Sequence, residues 1–229
     1  MTRVLKHAPR GRRACALESQ DLAARGGPGS VASGMSVDGT VCFAVPVGSV
    51  LVIAATQREL CTVDGARTMC CGIGPVEAAA GTASALQVGA ASAVLHVGIA
   101  GSSSLDAGTV VIGSESIYCD VLDPNATLPR VSRLTPSPGL FEVVRGLLPH
   151  AVTAPIATAA RVGGGEGYPV EAMEGFGVLR AAALAGVPAV EVRVVSNHPA
   201  TTDRRRWHTE QALEVLHGVI ATLVAGMSD

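Results

Sequence analysis

The chain has 229 residues, 48% of them hydrophobic and 16% charged, and a formal net charge of -2, enough apolar material for one sizeable core and no argument for two. A balance this close to neutral excludes a surface built mainly for nucleic acid or acidic lipid, either of which needs a clustered basic excess, and leaves a small molecule as the expected partner. No run reaches the roughly 18 apolar residues of a membrane span and the start lacks the apolar stretch of a secretory signal, so a cytoplasmic setting is expected.

Residues 1–46 show no sustained helical or strand period and contain "GGPGS", which predicts a disordered tail, either an over-long start or an Arg-rich targeting arm. The folded domain is expected over 47–229. "VLVIAA" from Val50 is a short β-branched run of the kind buried on both faces of a sheet. Gly74-Pro75 then opens a helix that runs to Gly89, and "SAVLHVGIAG" follows as a strand ending in a glycine turn. Further strands are predicted at 108–118 and 151–160, with a helix between them that Ser137 caps and Pro138 opens. A helix over 171–185 stops at Gly-Val-Pro, a strand covers 188–195, and a last helix runs from Asp203 to Val224. Strands alternating with helices predict a three-layer α/β domain. Its central sheet is mixed and mostly parallel, flanked by helices, with the ligand site at the strands' carboxyl ends.

Most chemical motifs are excluded by spacing. The six cysteines, Cys15, Cys42, Cys61, Cys70, Cys71 and Cys119, form no C-x-x-C pair and read as reduced core thiols. The histidines never fall at metal-ligand spacing, so no metal is expected. "GIGPVE" and "GIAG" lack the glycines of a dinucleotide turn, there is no G-x-S-x-G, and no redox cofactor is expected. Glu174 stands out because its neighbours from Ala172 to Leu179 leave almost no polar face. It is either a helix-surface charge or a buried acceptor in need of donors. The strand "VEVRVVSN" favours the second reading. It delivers Ser196 and Asn197 to the ligand side of the sheet, where an acceptor-only carboxylate and a two-way amide suit paired hydroxyls and a heteroaromatic edge.

"EAMEGFGVLRAA" followed by "GVPAVEVRVVSN", with "HVGIAG" and "VLVIAATQREL" upstream, resembles the nucleoside phosphorylase/nucleosidase superfamily and, within it, the futalosine hydrolase family. The resemblance covers about Val50 to Val224. It implies a phosphorylase/hydrolase-like fold and a cofactor-free hydrolase. Such an enzyme splits futalosine, an inosine-like nucleoside carrying an aromatic acid, into hypoxanthine and dehypoxanthine futalosine during menaquinone synthesis. It also implies that Glu174, beside Met173, accepts hydrogen bonds from the ribose hydroxyls and that Glu59 orients or deprotonates the attacking water. Asn197 would hold the base, and Gly98, Ile99, Arg193 and Ser196 would belong to the substrate site. A homodimer or higher homo-oligomer, its neighbouring subunit closing the site, follows from the same likeness. His96 stands where phosphorylases of the superfamily carry arginine, which favours water over phosphate as nucleophile. Two further readings stay open: a methylthioadenosine/adenosylhomocysteine nucleosidase, and a catalytically weakened nucleoside-binding protein of the same fold. Shortened segments at 61–70 and 161–170 motivate the latter.

Overall fold

The computed structural model describes residues 50–227 apart from 63, 123, 124, 126, 128 and 166; the expected tail, with Cys15 and Cys42, lies outside the described residues. Eight strands and four helices follow in the order β1 (Val50–Ala54), β2 (Arg67–Cys70), α1 (Pro75–Val88), β3 (Ala93–Ser102), β4 (Val110–Tyr118), β5 (Arg133–Leu134), α2 (Pro138–Leu147), β6 (Val152–Thr158), β7 (Val170–Ala172), α3 (Gly175–Ala185), β8 (Ala189–Asn197) and α4 (Thr209–Gly226), with a short 3-10 turn at Arg204–Arg206 before the last helix.

The sheet is mixed, as expected, and it closes on itself. β3 pairs in parallel with β8 and antiparallel with β7; β4 pairs antiparallel with β8 and in parallel with β6; β6 and β7 then pair in parallel and complete a ring. β1 and β2 extend it in parallel beside β3, and β5 adds an antiparallel edge to β4. Ring closure removes exposed edges from the strands that carry the site. A register shift between Ala100 and Gly101 lets the end of β3 face β8 and β7 together.

Periodicity explains the layers. In α4 the buried residues Ala212, Leu213, Leu216, Val219, Ile220, Leu223 and Val224 form one stripe. They pack with α2 residues Leu140 and Val144 on one sheet face against Val52, Leu95 and Val192, each large side chain contributing roughly 1.5–3 kcal/mol of burial. Helices α1 and α3 cover the opposite face through Ala78, Val178, Leu179 and Ala182 against Leu51, Ile53 and Val94. A third cluster, including Val111, Ile156, Val170 and Val195, is drawn from the ring strands.

Local expectations change at several points. The helix over 171–185 divides into β7 and α3, and Glu174 is its N-cap residue rather than an interior one. Ser137 does precede α2, but its hydroxyl accepts from the Ala189 N–H at 3.2 Å instead of capping the helix. The short segment after Glu59 forms β2 alongside β1. Cys71 is buried, while Cys70 is exposed, so the thiols are not uniformly core. Burial first, and the nearby Glu174 second, push the Cys71 thiol up to about 12. Phe176 is core, stacked on Tyr118 at 5.1 Å between ring centroids.

Candidate active site

The parallel strands β1, β3 and β8 end on the same side, and a cavity of about 610 Å³ opens there, where a sheet of this kind binds ligands. The loop after β1 supplies Thr56 and Glu59, the end of β3 supplies Ile99 to Gly101, β7 and its turn into α3 supply Glu171 to Glu174, and β8 supplies Ser196 and Asn197. Arg204, Trp207, Thr209 and Glu210, leading into α4, form another wall.

Glu59 is held by both carboxylate oxygens. Oε2 accepts from the Thr56 N–H at 3.0 Å and the Thr56 hydroxyl at 2.8 Å, and Oε1 accepts from the Ile99 N–H at 3.1 Å. Three donors fix a buried acceptor at the cavity wall. Glu174 is equally buried; its Oε1 accepts from the Gly74 N–H, the residue that opens α1, at 3.1 Å, and its Oε2 lies 3.5 Å from the Arg193 guanidinium. Burial raises the Glu174 pKa; Arg193 and the Gly74 N–H oppose that rise, while Glu59 and Glu191 add to it.

Arg193 and Gly98 lie behind the cavity wall and do not line it. Arg193 is fully buried; its Nε donates to Glu191 Oε1 at 2.8 Å, and one terminal nitrogen meets His96 Nε2 as well as approaching Glu174. Burial works against the charged guanidinium, yet Glu191, Glu174 and Glu59 together hold its pKa above the ordinary value. His96 Nδ1 faces the Ile53 carbonyl at 3.0 Å. A carbonyl only accepts and an arginine only donates, so the imidazole is neutral with its proton on Nδ1. Its pKa is accordingly well below the usual value, through burial first and Arg193 second.

Two close approaches make this network possible. A Cβ on Gly98 would sit 2.2 Å from Arg193 Nη1, and one on Gly175 would sit 2.1 Å from Glu191 Oε2. Only glycine leaves room at either place.

At the far wall, the Asn197 carbonyl oxygen accepts from the Ser196 hydroxyl at 2.8 Å, and its amide nitrogen donates to the His198 carbonyl at 3.3 Å. These contacts set the amide orientation and leave one N–H for a ligand. Glu171 was missed in the sequence. Its carboxylate accepts from the Gly163 N–H at 2.6 Å and the Gly165 N–H at 3.0 Å, so it ties down the short 161–165 loop whose Arg161 and Val162 line the cavity. Trp207 was missed too, although it is the chain's single tryptophan and that scarcity was a usable signal. Glu191 was hidden because alternate positions of a doubly buried strand do not separate the two faces by polarity. Among the described residues no three His, Cys, Asp or Glu side chains cluster as a metal site requires, and no helix is long and apolar enough to cross a membrane.

A ring-closed mixed sheet with a carboxylate-and-amide cavity at the ends of β1, β3 and β8 defines the class: the chain belongs to the phosphorylase superfamily, whose family model matches residues 45–225. A futalosine hydrolase from Streptomyces coelicolor is 34% identical over 187 residues, which span 70% of this chain and 79% of that protein. A futalosine hydrolase from Acidothermus cellulolyticus is 43% identical over 91 residues, 38% of this chain and 36% of that one. Among solved structures, a 5′-methylthioadenosine/S-adenosylhomocysteine nucleosidase from Colwellia psychrerythraea in complex with adenine superposes with a TM-score of 0.68 at 20% identity, covering 81% of this chain and 98% of that one. The futalosine hydrolase of Helicobacter pylori also reaches 0.68, at 15% identity, covering 77% and 97%. At such identities the structural likeness speaks for the fold.

Proposed function

We propose that the protein is a nucleoside hydrolase that cleaves the N-glycosidic bond of futalosine, releasing hypoxanthine and dehypoxanthine futalosine without a cofactor. The observation that carries this reading is the pairing, in one cavity, of two buried carboxylates, Glu59 and Glu174, with a neutral amide donor, Asn197. Departure of the base leaves oxocarbenium character on the ribose, so a carboxylate accepting from the sugar hydroxyls binds more strongly as the ring loses electrons. Glu174 has that role, with Met173 beside it. Glu59 takes a proton from the water that attacks the anomeric carbon; its oxygens are pinned by Thr56 and Ile99, so the geometry is set in advance. The electron pair of the broken bond goes to the base, where the Asn197 N–H, oriented by Ser196, stabilises it at N7 or O6.

Water is favoured over phosphate because the nucleophile's end of the cavity presents carboxylates, which repel an anion. The buried neutral His96 supplies no positive charge there. Arg193 and Gly98 act one layer behind the substrate, Arg193 by orienting Glu174 and Gly98 by leaving space for it. The free thiols Cys61, Cys70, Cys71 and Cys119 suit a reducing cytoplasm. A homodimer is the proposed working form, since Ile73 lines the cavity and is 61% exposed, and Val76 in the first turn of α1 is 73% exposed.

The test is release of free base from futalosine, inosine and methylthioadenosine, with and without phosphate. Hypoxanthine from futalosine at a rate indifferent to phosphate is the expected result; preference for methylthioadenosine would replace this reading with the adenine-nucleosidase one. An amide donor suits the two acceptors of a 6-oxo purine, whereas adenine offers an amino donor at that edge. Mismatching a buried donor or acceptor costs about 1–3 kcal/mol. Asn197→Asp is therefore expected to lower futalosine cleavage and shift the ratio toward an adenine nucleoside by roughly 5- to 150-fold.

A further inference from the structure

We propose that Arg161 is a catalytic residue for the departing base, its guanidinium answering the negative charge that hypoxanthine gains as the glycosidic bond breaks. The inference rests on the nucleosidase reading, which places the base beside Asn197, and it concerns how the charge on that base is met.

The need arises from the chemistry of Asn197. When the oxygen of water bonds to the anomeric carbon, the bond from that carbon to N9 breaks, its electron pair goes to the purine, and one water proton goes to Glu59. An amide N–H can hydrogen-bond N7 or O6 but has no proton to give up. The purine therefore leaves as an anion and takes its proton from solvent afterwards. Glu171, next to the same wall, already accepts two backbone N–H groups.

Three arginines line the cavity, Arg58, Arg161 and Arg204. Arg58 is paired with Glu210 at 2.5 Å, and Arg204 lies over the Trp207 ring on the wall leading into α4. Among the described residues no carboxylate forms an ion pair with Arg161.

The loop that carries Arg161 is anchored beside Asn197. The Ala160 N–H donates to Asp120 Oδ2 at 2.7 Å, the Arg161 carbonyl accepts from the Gly164 N–H at 3.2 Å, and Glu171 holds the Gly163 and Gly165 N–H groups. Glu171 Cγ and the Asn197 amide nitrogen flank Gly101, each 3.3 Å from where a Cβ on that glycine would lie. A fixed backbone thus presents an exposed, unpaired cation to the cavity that Asn197 lines. A guanidinium is planar, permanently charged and weakly hydrated, so it packs flat on a purine or forks onto O6 and N7. Either contact strengthens as charge moves onto the base, which is the condition for raising kcat rather than affinity for the substrate.

The experiment has two arms, each run on the wild type, Arg161→Gln and Arg161→Lys. In the first, kcat for futalosine is expected to fall roughly 5- to 50-fold in Arg161→Gln with KM little changed, and Arg161→Lys is expected to recover part of the loss. In the second, ultraviolet difference spectra follow the ionisation of bound hypoxanthine as pH is raised. The bound base is expected to lose its proton at lower pH than free hypoxanthine in the wild type, and at the pH of the free base in Arg161→Gln. A kcat unaltered in Arg161→Gln, or bound hypoxanthine that ionises alike in that variant and the wild type, overturns the proposal. Should the wild type cleave no nucleoside, the nucleosidase reading falls, and the second arm alone decides whether Arg161 answers charge on a purine. A wild type that does not bind hypoxanthine has no base site, and the proposal falls with it.

Discussion

Glu174, Arg193 and Glu191 form a chain in which one buried arginine answers two buried carboxylates, with neutral His96 and the third carboxylate, Glu59, close by. Charge-neutral Glu174→Gln keeps the shape but cannot answer positive charge on a sugar; kcat is expected to fall by about 100-fold or more with folding intact, as read by steady-state kinetics and circular dichroism. Because the Glu174 pKa is raised and the ionised form is the one that works, activity is expected to fall as pH drops through a point above the ordinary carboxylate range. The groups facing Glu174 are Arg193 and Glu191 from β8, Glu59 from the loop after β1, Cys71 at the end of β2 and the Gly74 N–H. Removing the negative charge in Glu191→Gln lets Arg193 act more fully on Glu174, so the acid limb of the kcat/KM profile moves to lower pH. A limb that stays put would reduce Glu191 to a packing role.

At the scale of elements, the legible parts were those with a long period or a clear stop: β1, α1, β3, β4, α2, β6, β8 and α4 lie where apolar runs, Gly-Pro breaks and the 3.6 repeat put them. β2, β5 and β7 were not legible. They have four, two and three residues, too few for alternation to show, and they exist because neighbouring strands present partners. The missed β7 also explains why Glu174 reads as mid-helix, since "VEAME" has good helix formers and is pulled into the sheet only by its long-range pairing, antiparallel with β3 and parallel with β6. The resulting turn places Glu174 at the N-cap of α3, and Gly175 must then pass directly over Glu191. Gly175→Ala is expected to destabilise by about 1–3 kcal/mol in urea titration, because the added methyl meets a carboxylate held by Arg193 and not a mobile surface group. Activity is expected to fall with it, and a variant as stable and active as the wild type would contradict the tight passage.

On the scale of the whole molecule, sheet closure was beyond the sequence, since it depends on which distant strands meet, whereas the layered α/β class followed from alternation alone. Closure gathers residues from 55 to 213 around one cavity, yet Ile73 and Val76 remain exposed at its edge and at the start of α1. Two exposed apolar side chains three residues apart, one of them lining a ligand site, are what a second copy of the chain would cover. Sedimentation is expected to give twice the mass of one chain. Val76→Asp offers a test that separates assembly from folding, because an acid in the first turn of α1 is favoured by the helix dipole and has solvent around it in a single chain. The variant should therefore keep its thermal midpoint at low concentration, sediment as a monomer and lose turnover by raised KM as the cavity's apolar edge opens to water. A Val76→Asp protein that still sediments at twice the chain mass, or that is monomeric with unaltered KM, would show that the cavity is complete without a partner at this edge.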